Sequence, residues 1–352
     1  MKIGFASYYR KHENVALAFR LADFFQREGH DISFYSPLDR LYRVSPRWDR
    51  YAVCQDKVPY EGWLKQQQLV VWTEMFDPLY ISVAIRHSVR TVALGLWDSI
   101  TDHFRQGYQA ADHVVCPSDA SLEVLRRSLG LSNARMIPWD PGLPFTRSHS
   151  SRKKTRTNVL FPLHGDQTNR VNFKTTSLIT EVLRACPWVS ATLLYSSNSF
   201  NARTFKEIKE TRKEFPAHHR FSVQVDTRFT REDVQMQYGL HDLVIWPSEI
   251  EGVGSIGLEA LSMGTPFLAY QAAPMSEFVH DGKNSVLVPC DISYTPAGVP
   301  WVSARPSQFQ EVLLHLLDDR ERLTYLQSQT GLGLHERRRE FVSGWKEILN
   351  SV

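Results

Sequence analysis

Residues 249–270, EIEGVGSIGLEALSMGTPFLAY, place Glu251 and Glu259 eight positions apart, with Gly252, Gly254 and Gly257 between them. A surface loop needs neither the glycines nor that spacing. The segment reads as the end of a strand, DLVIWP (242–247), then a loop, SEIEGVG (248–254), then a helix from Ser255 to Met263 ended by Gly264. Glycine-rich backbone entering a helix presents N–H groups without helical partners together with the positive end of the helix dipole, and so forms an anion site. Without Cβ atoms, Gly252 and Gly254 let a ligand come close to the main chain. Ser255 and Glu259 are four apart and share one helix face. A diphosphate held over Gly252, Val253, Gly254, Ser255 and Ile256 puts Glu259 one turn deeper. There its two oxygens match the cis-diol of a ribose. Glu251 then lies on the other side of the phosphate, within reach of the hydroxyls of a transferred sugar. The plain alternative is a strand–loop–helix connection carrying two surface glutamates.

The surrounding sequence favours the first reading. SEIEGVGSIGLEALSMGTPFLAY, followed by APMSEFVHDGKNSVLVP (273–289), resembles the nucleotide-sugar motif of glycosyltransferase family 4, the retaining enzymes of the GT-B fold. The shared pattern is a glutamate, seven residues and a second glutamate, then Ala, a helix end of small residues and Gly-x-Pro. Weaker likeness extends over ADHVVCPSDASLEVLRRSLGLSNARMIPWDPG (111–142), REDVQMQYGLHDLVIWPSE (231–249) and the C-terminal EFVSGWKEIL (340–349). The resemblance implies a hexosyltransferase that takes a nucleoside-diphosphate sugar, a UDP-sugar first, and needs no metal ion or other cofactor. It implies donor binding by Gly252 to Ile256 and Glu259, with Glu251 among the catalytic residues.

The chain departs from the family in three places. The family's basic pair on the diphosphate follows the first strand of the second domain. Here FPLHGDQTNRVNFK (161–174) offers Arg170 and Lys174, four apart, without reproducing the family spacing. They are taken as candidate catalytic cations, against the reading of ordinary helix-surface charges. The loop after the first strand, glycine-rich in the family, is YYRKHEN (8–14) in this chain. It makes His12 an acceptor-side candidate. The family's His-Asp pair falls at Trp97-Asp98 in LGLWDSITDHF, so Asp98 and the nearby His103 complete the acceptor-side set, His103 against the commoner structural histidine.

The elements that must position these residues alternate along almost the whole chain. Short apolar strands stand at 2–7, 31–36, 69–73, 91–96, 113–117, 158–162, 190–196, 220–225, 242–247, 266–270 and 285–289. Helical periods lie between them, the first at 14–28 with Gly29 as its cap. That alternation predicts an α/β fold with parallel sheets covered on both faces. The tail reads as helices near 306–319 and 335–350, with LDDR (317–320) inside the first. At 352 residues the chain suits two domains of roughly 150–200 residues each.

The expected organisation is GT-B, two Rossmann-like doubly wound domains facing across a cleft. Residues 1–145 form the acceptor-side domain, 146–157 a basic linker and 158–334 the nucleotide-sugar domain. Residues 335–352 form a helix crossing back to the first domain. Ligands of such folds sit at the carboxyl ends of the strands.

Forty-one Lys and Arg against 38 Asp and Glu leave a charge of +3, too small to argue for nucleic acid by itself. Five of the cations, Arg147, Arg152, Lys153, Lys154 and Arg156, lie in the linker segment. They fit a solvated hinge or a contact to a polyanionic acceptor. Trp48, Trp63, Trp72 and Trp97 fit core packing or an acceptor platform. The four cysteines form no CxxC pair, and no His or Cys cluster has ligand spacing, so no metal site is expected and a reducing, cytoplasmic setting fits. No apolar run reaches 18 residues, which leaves peripheral contact with the inner membrane face as the only membrane association expected.

The acceptor stays open among a polysaccharide, a lipid carrier, a small molecule, a protein and a hydroxylated base in DNA. Two other readings of the same fold are an accessory protein without turnover and an enzyme that isomerises the sugar nucleotide.

Overall fold

The structure is a computed structural model. It describes residues 1–6, 12–36, 52–54, 58–73, 78–97, 102–145, 156–163, 175–195, 202–215, 220–225, 231–294, 298–303 and 305–351. The chain divides into two compact units. The first is Met1–Gly142 with Glu336–Val352 and Ala297–Val299; the second is Leu143–Pro296 with Pro300–His335.

Among the described residues the first unit holds seven strands: β1 (Lys2–Ala6), β2 (Asp31–Ser36), β3 (Ala52–Cys54), β4 (Leu69–Trp72), β5 (Arg90–Leu94), β6 (His113–Cys116) and β7 (Ala134–Met136). They lie in the order β3-β2-β1-β4-β5-β6-β7, every pair parallel. From β1 the chain adds strands first to one side and then, from β4, to the other. Right-handed crossovers therefore lay helices on opposite faces of the sheet on the two sides of that reversal. The strands are near-continuous apolar runs, as burial on both faces demands: Leu69 to Trp72 are all buried.

The last helix, Leu334–Ser351, belongs to the first unit from Glu336 onward. Its Phe341, Trp345 and Ile348 recur at helical spacing and are buried. Phe341 meets Phe24 edge-on at 5.2 Å between ring centroids, and Trp345 meets Phe25 at 5.3 Å. Arg338 grips Asp140 with two bonds, Nε at 2.9 Å and one terminal nitrogen at 3.2 Å, and Arg337 Nε donates to the Trp139 carbonyl at 2.7 Å. A forked guanidinium–carboxylate pair fixes direction as well as distance, and here it sets the register of the helix on β7 and the segment after it.

The second unit repeats the plan with β8 (Thr157–Leu163), β9 (Val189–Tyr195), β10 (Phe221–Val225), β11 (Leu243–Trp246), β12 (Phe267–Tyr270) and β13 (Val286–Val288). The order is β10-β9-β8-β11-β12-β13, again all parallel. Its reversal falls between β8 and β11. A separate antiparallel ribbon joins β14 (Asp291–Tyr294) to β15 (Pro300–Ser303).

Several expectations change. His12 stands in the first turn of the helix His12–Arg27 rather than in a loop, because the helical period starts two residues earlier than the apolar pattern shows. LDDR does not sit within one helix. The helix Pro306–Asp318 ends there, and the Asp319 side chain accepts the Arg322 N–H at 2.8 Å and caps a new helix, Arg320–Ser328. Trp63, Trp72 and Trp97 are buried, so they pack the core and offer no platform; Trp48 lies outside the described residues. Among the described residues no helix is long and apolar enough to cross a membrane.

Candidate functional site

In an open parallel sheet the chain leaves a crevice at the carboxyl ends of the two strands where the order reverses. In the second unit those strands are β8 and β11. The segment after β11 is 247–254, the loop that carries Glu251.

Its conformation is held from three directions. Ser248 Oγ donates to the Ile250 carbonyl at 2.7 Å, closing a short turn. Val302 of β15 donates its N–H to the Glu249 carbonyl at 3.0 Å, so the ribbon braces the loop from outside the main sheet. Trp246, the last residue of β11, donates its indole N–H to Glu251 Oε2 at 3.0 Å.

The helix that follows, Ser255–Ser262, starts at Gly254 with no side chain capping it; the first intrahelical bond runs from Leu258 N–H to the Gly254 carbonyl at 3.1 Å. Gly254 has φ +73°, in the left-handed region. A Cβ there would stand 2.7 Å from the Phe278 ring. Gly257 is required by packing instead: a Cβ would stand 2.7 Å from the Phe267 ring of β12. The helix therefore lies flat against its neighbours, and every residue from Ile256 to Ser262 is buried. Its amino end points donors toward the loop, which suits an anion.

Gly254→Ala is expected to lower stability by about 2–4 kcal/mol, from left-handed strain of about 1–2 kcal/mol together with overpacking against Phe278. The check is the urea midpoint of unfolding at unchanged m. A midpoint matching wild type would show that neither the φ nor the ring contact constrains the site.

Glu259 is only 4% exposed. The flat seating of the helix carries its fifth residue into the unit. Gln235, on the helix Arg231–Leu240, turns its side-chain amide to Glu259 Oε1 at 3.4 Å and is itself buried. Glu251 is half-buried at the mouth of the loop. Gly252, Val253 and Gly254 are buried, Ser255 is half-buried and Ile256 buried. The two carboxylates thus bracket the helix start, one before it and one a turn below it.

Downstream, HDGKNS (280–285) makes a turn into β13. Gly282 has φ +69°, Asp281 accepts the Leu287 N–H at 2.9 Å, and buried Asn284 accepts the His280 N–H at 3.0 Å. These polar residues serve the turn.

Arg170 and Lys174 lie outside the described residues, as does Asp98; His12 and His103 stand on helices, His103 on Asp102–Ala110, with side chains outside the description. Of the linker cations, Arg156 alone is described. Among the described residues no group of three or more His, Cys, Asp and Glu could hold a metal ion.

The sequence reading missed Trp246 and Gln235. A strand-end tryptophan reads as core, and nothing in its spacing from Glu251 shows that its N–H is aimed. Gln235 is 24 residues before its partner and carries no periodic signal of its own.

Residues 201–319 match the family model described as glycosyl transferases, group 1. Comparison of the sequence with curated proteins finds no match. Among solved structures, the chain is similar to HepE of Anabaena in complex with UDP and glucose, with 16% identity, a TM-score of 0.71 and all of both chains covered. The same protein has also been solved with UDP-glucose. A sucrose-phosphate synthase from Thermosynechococcus elongatus is similar over all of both chains at 13% identity and a TM-score of 0.67. The lipopolysaccharide outer core galactosyltransferase WaaB, in its apo form, is similar over 98% of this chain and 99% of its own, at 12% identity and a TM-score of 0.61. At such identities the likeness speaks for the fold, and the family match, which lies almost wholly in the second unit, speaks for the segment around the paired glutamates. The chain has the GT-B fold, and residues 201–319 are similar to the group 1 glycosyl transferases.

Proposed function

We propose that the chain is a retaining, metal-independent hexosyltransferase that moves a sugar from a nucleoside-diphosphate donor, a UDP-sugar first, to a hydroxyl acceptor. The observation that carries this reading is the placement of Glu251 and Glu259 on either side of an uncapped helix start, on the loop leaving β11 beside the strand reversal. The helix amino end receives the diphosphate. Glu259 accepts the ribose hydroxyls, and Glu251 accepts hydroxyls of the transferring sugar. As the anomeric C–O bond breaks, its electron pair leaves with the nucleoside diphosphate. The acceptor oxygen bonds the anomeric carbon and gives up its proton to an oxygen of the departing diphosphate. Backbone N–H groups already aimed at the departing phosphate stabilise the growing charge without reorganising, and Arg170 and Lys174 add positive charge in this proposal. UDP is supported as the nucleotide by the ligands solved with HepE.

Incubating the chain with UDP-glucose, UDP-galactose, GDP-mannose and ADP-glucose tests this, scored by release and binding of the nucleoside diphosphate. Release from one UDP-sugar above the others is the expected result. No binding and no release from any donor would return the chain to an accessory role. EDTA is expected to leave the turnover unchanged, and a complete loss restored by a divalent ion would overturn metal independence.

A further inference from the structure

We propose that Trp246 is a positioning residue for Glu251, a role that rests on the transfer reaction proposed above. Trp246 ends β11, is 4% exposed and pairs with Ala269 of β12, on a central strand whose Leu243 and Val244 pair with β8. Glu251 is five residues on, directly before two glycines within three residues, on the loop that leaves the strand. The indole N–H reaches Oε2 at 3.0 Å.

The donor suits the task. An indole nitrogen donates and never accepts, so the pairing has one sense, and a planar ring packed at a strand end cannot rotate away. A carboxylate offers about four acceptor positions and the indole takes one. The strand therefore sets where the carboxylate stands before any donor sugar arrives, and the ordering is done in folding rather than in the transition state. The Ser248 turn and the Val302 brace fix the main chain of the same loop, and the indole fixes the side chain.

The test uses the full chain, with Trp246→Phe, Glu251→Ala and the double variant. Trp246→Phe keeps a ring in the core and removes the N–H. The chain has nine tryptophans, so each indole N–H can be followed in a nitrogen-15 spectrum. Glu251→Ala is expected to shift the one resonance that Trp246→Phe deletes. This reads the pairing without any substrate and does not need the Phe variant to be active. With UDP-glucose, Trp246→Phe is expected to lower kcat about tenfold, about 1.4 kcal/mol in barrier, and to leave UDP affinity by calorimetry within twofold. On the Glu251→Ala background the same change should cost less than twofold, because the two residues act as one.

An unmoved indole resonance overturns the pairing. Equal losses from Trp246→Phe on both backgrounds, or a matching loss of UDP affinity, overturn the positioning role and leave Trp246 a packing residue. A wild-type chain that binds no nucleotide removes the transfer reaction and the positioning role with it, and the unliganded spectrum still separates that failure from a missing pair.

Discussion

Glu251→Ala is expected to lower turnover of the nucleotide sugar by about a hundredfold, about 2.7 kcal/mol in barrier, while UDP affinity changes by less than about threefold. The separation follows from where the side chain stands. Glu251 precedes the helix start, on the side away from Glu259, so in the proposed reaction it meets the sugar and not the nucleotide. Removing an interaction that strengthens as the sugar gains positive character lowers kcat and leaves ground-state nucleotide binding alone. The size matches the loss of one aimed polar group from a preorganised site. The check is kcat and KM from UDP release, with UDP titrated separately by calorimetry. Turnover within about twofold of wild type, roughly 0.4 kcal/mol, would remove Glu251 from the reacting sugar.

That prediction was reachable from the sequence because the segment 242–270 is punctuated by strong local signals. The apolar run before Pro247 can only be a buried strand, the glycines mark the turn, and the spacing from Ser255 to Glu259 sets a face. The structure bears out the order of strand, loop, helix and strand, with β11, Ser255–Ser262 and β12 within a residue or two of the pattern. The doubly wound sheets were legible for the same reason: parallel strands buried on both faces have no polar alternation to blur them.

What escaped notice depends on distance or on short range. β3 is three residues long and too brief for any period. The ribbon of β14 and β15 lies in DISYTPAGVPWVS, where prolines and exposed residues resemble a loop, yet its Val302 N–H braces the site. Asp319 looked like one more helical residue, and only its bond to the Arg322 N–H shows it as a break. The burial of Glu259 was not legible because helical periodicity gives a face and not a depth. The depth comes from Gly257, whose missing Cβ lets the helix settle onto Phe267.

That depth changes what Glu259→Ala should do. The variant is expected to weaken UDP binding by about 30-fold, about 2 kcal/mol, the range for a hydrogen bond to a charged group. It should also cost about 1–3 kcal/mol of stability, since the Gln235 amide loses the acceptor it faces at 3.4 Å inside the unit. Two losses from one substitution could share a cause, a helix that shifts when its buried carboxylate goes. Inorganic pyrophosphate separates them. It has the diphosphate and no ribose, so it draws on the helix amino end alone. If Glu259 holds the ribose, Glu259→Ala lowers UDP affinity and leaves pyrophosphate affinity within about twofold. If the helix start has moved, both ligands weaken together. Glu259→Gln adds a second discriminator, because it keeps the volume and one acceptor oxygen, and it should keep most of the stability while still losing UDP affinity. Parallel loss of pyrophosphate and UDP in both variants would assign Glu259 to the packing of the helix and leave the ribose to another residue.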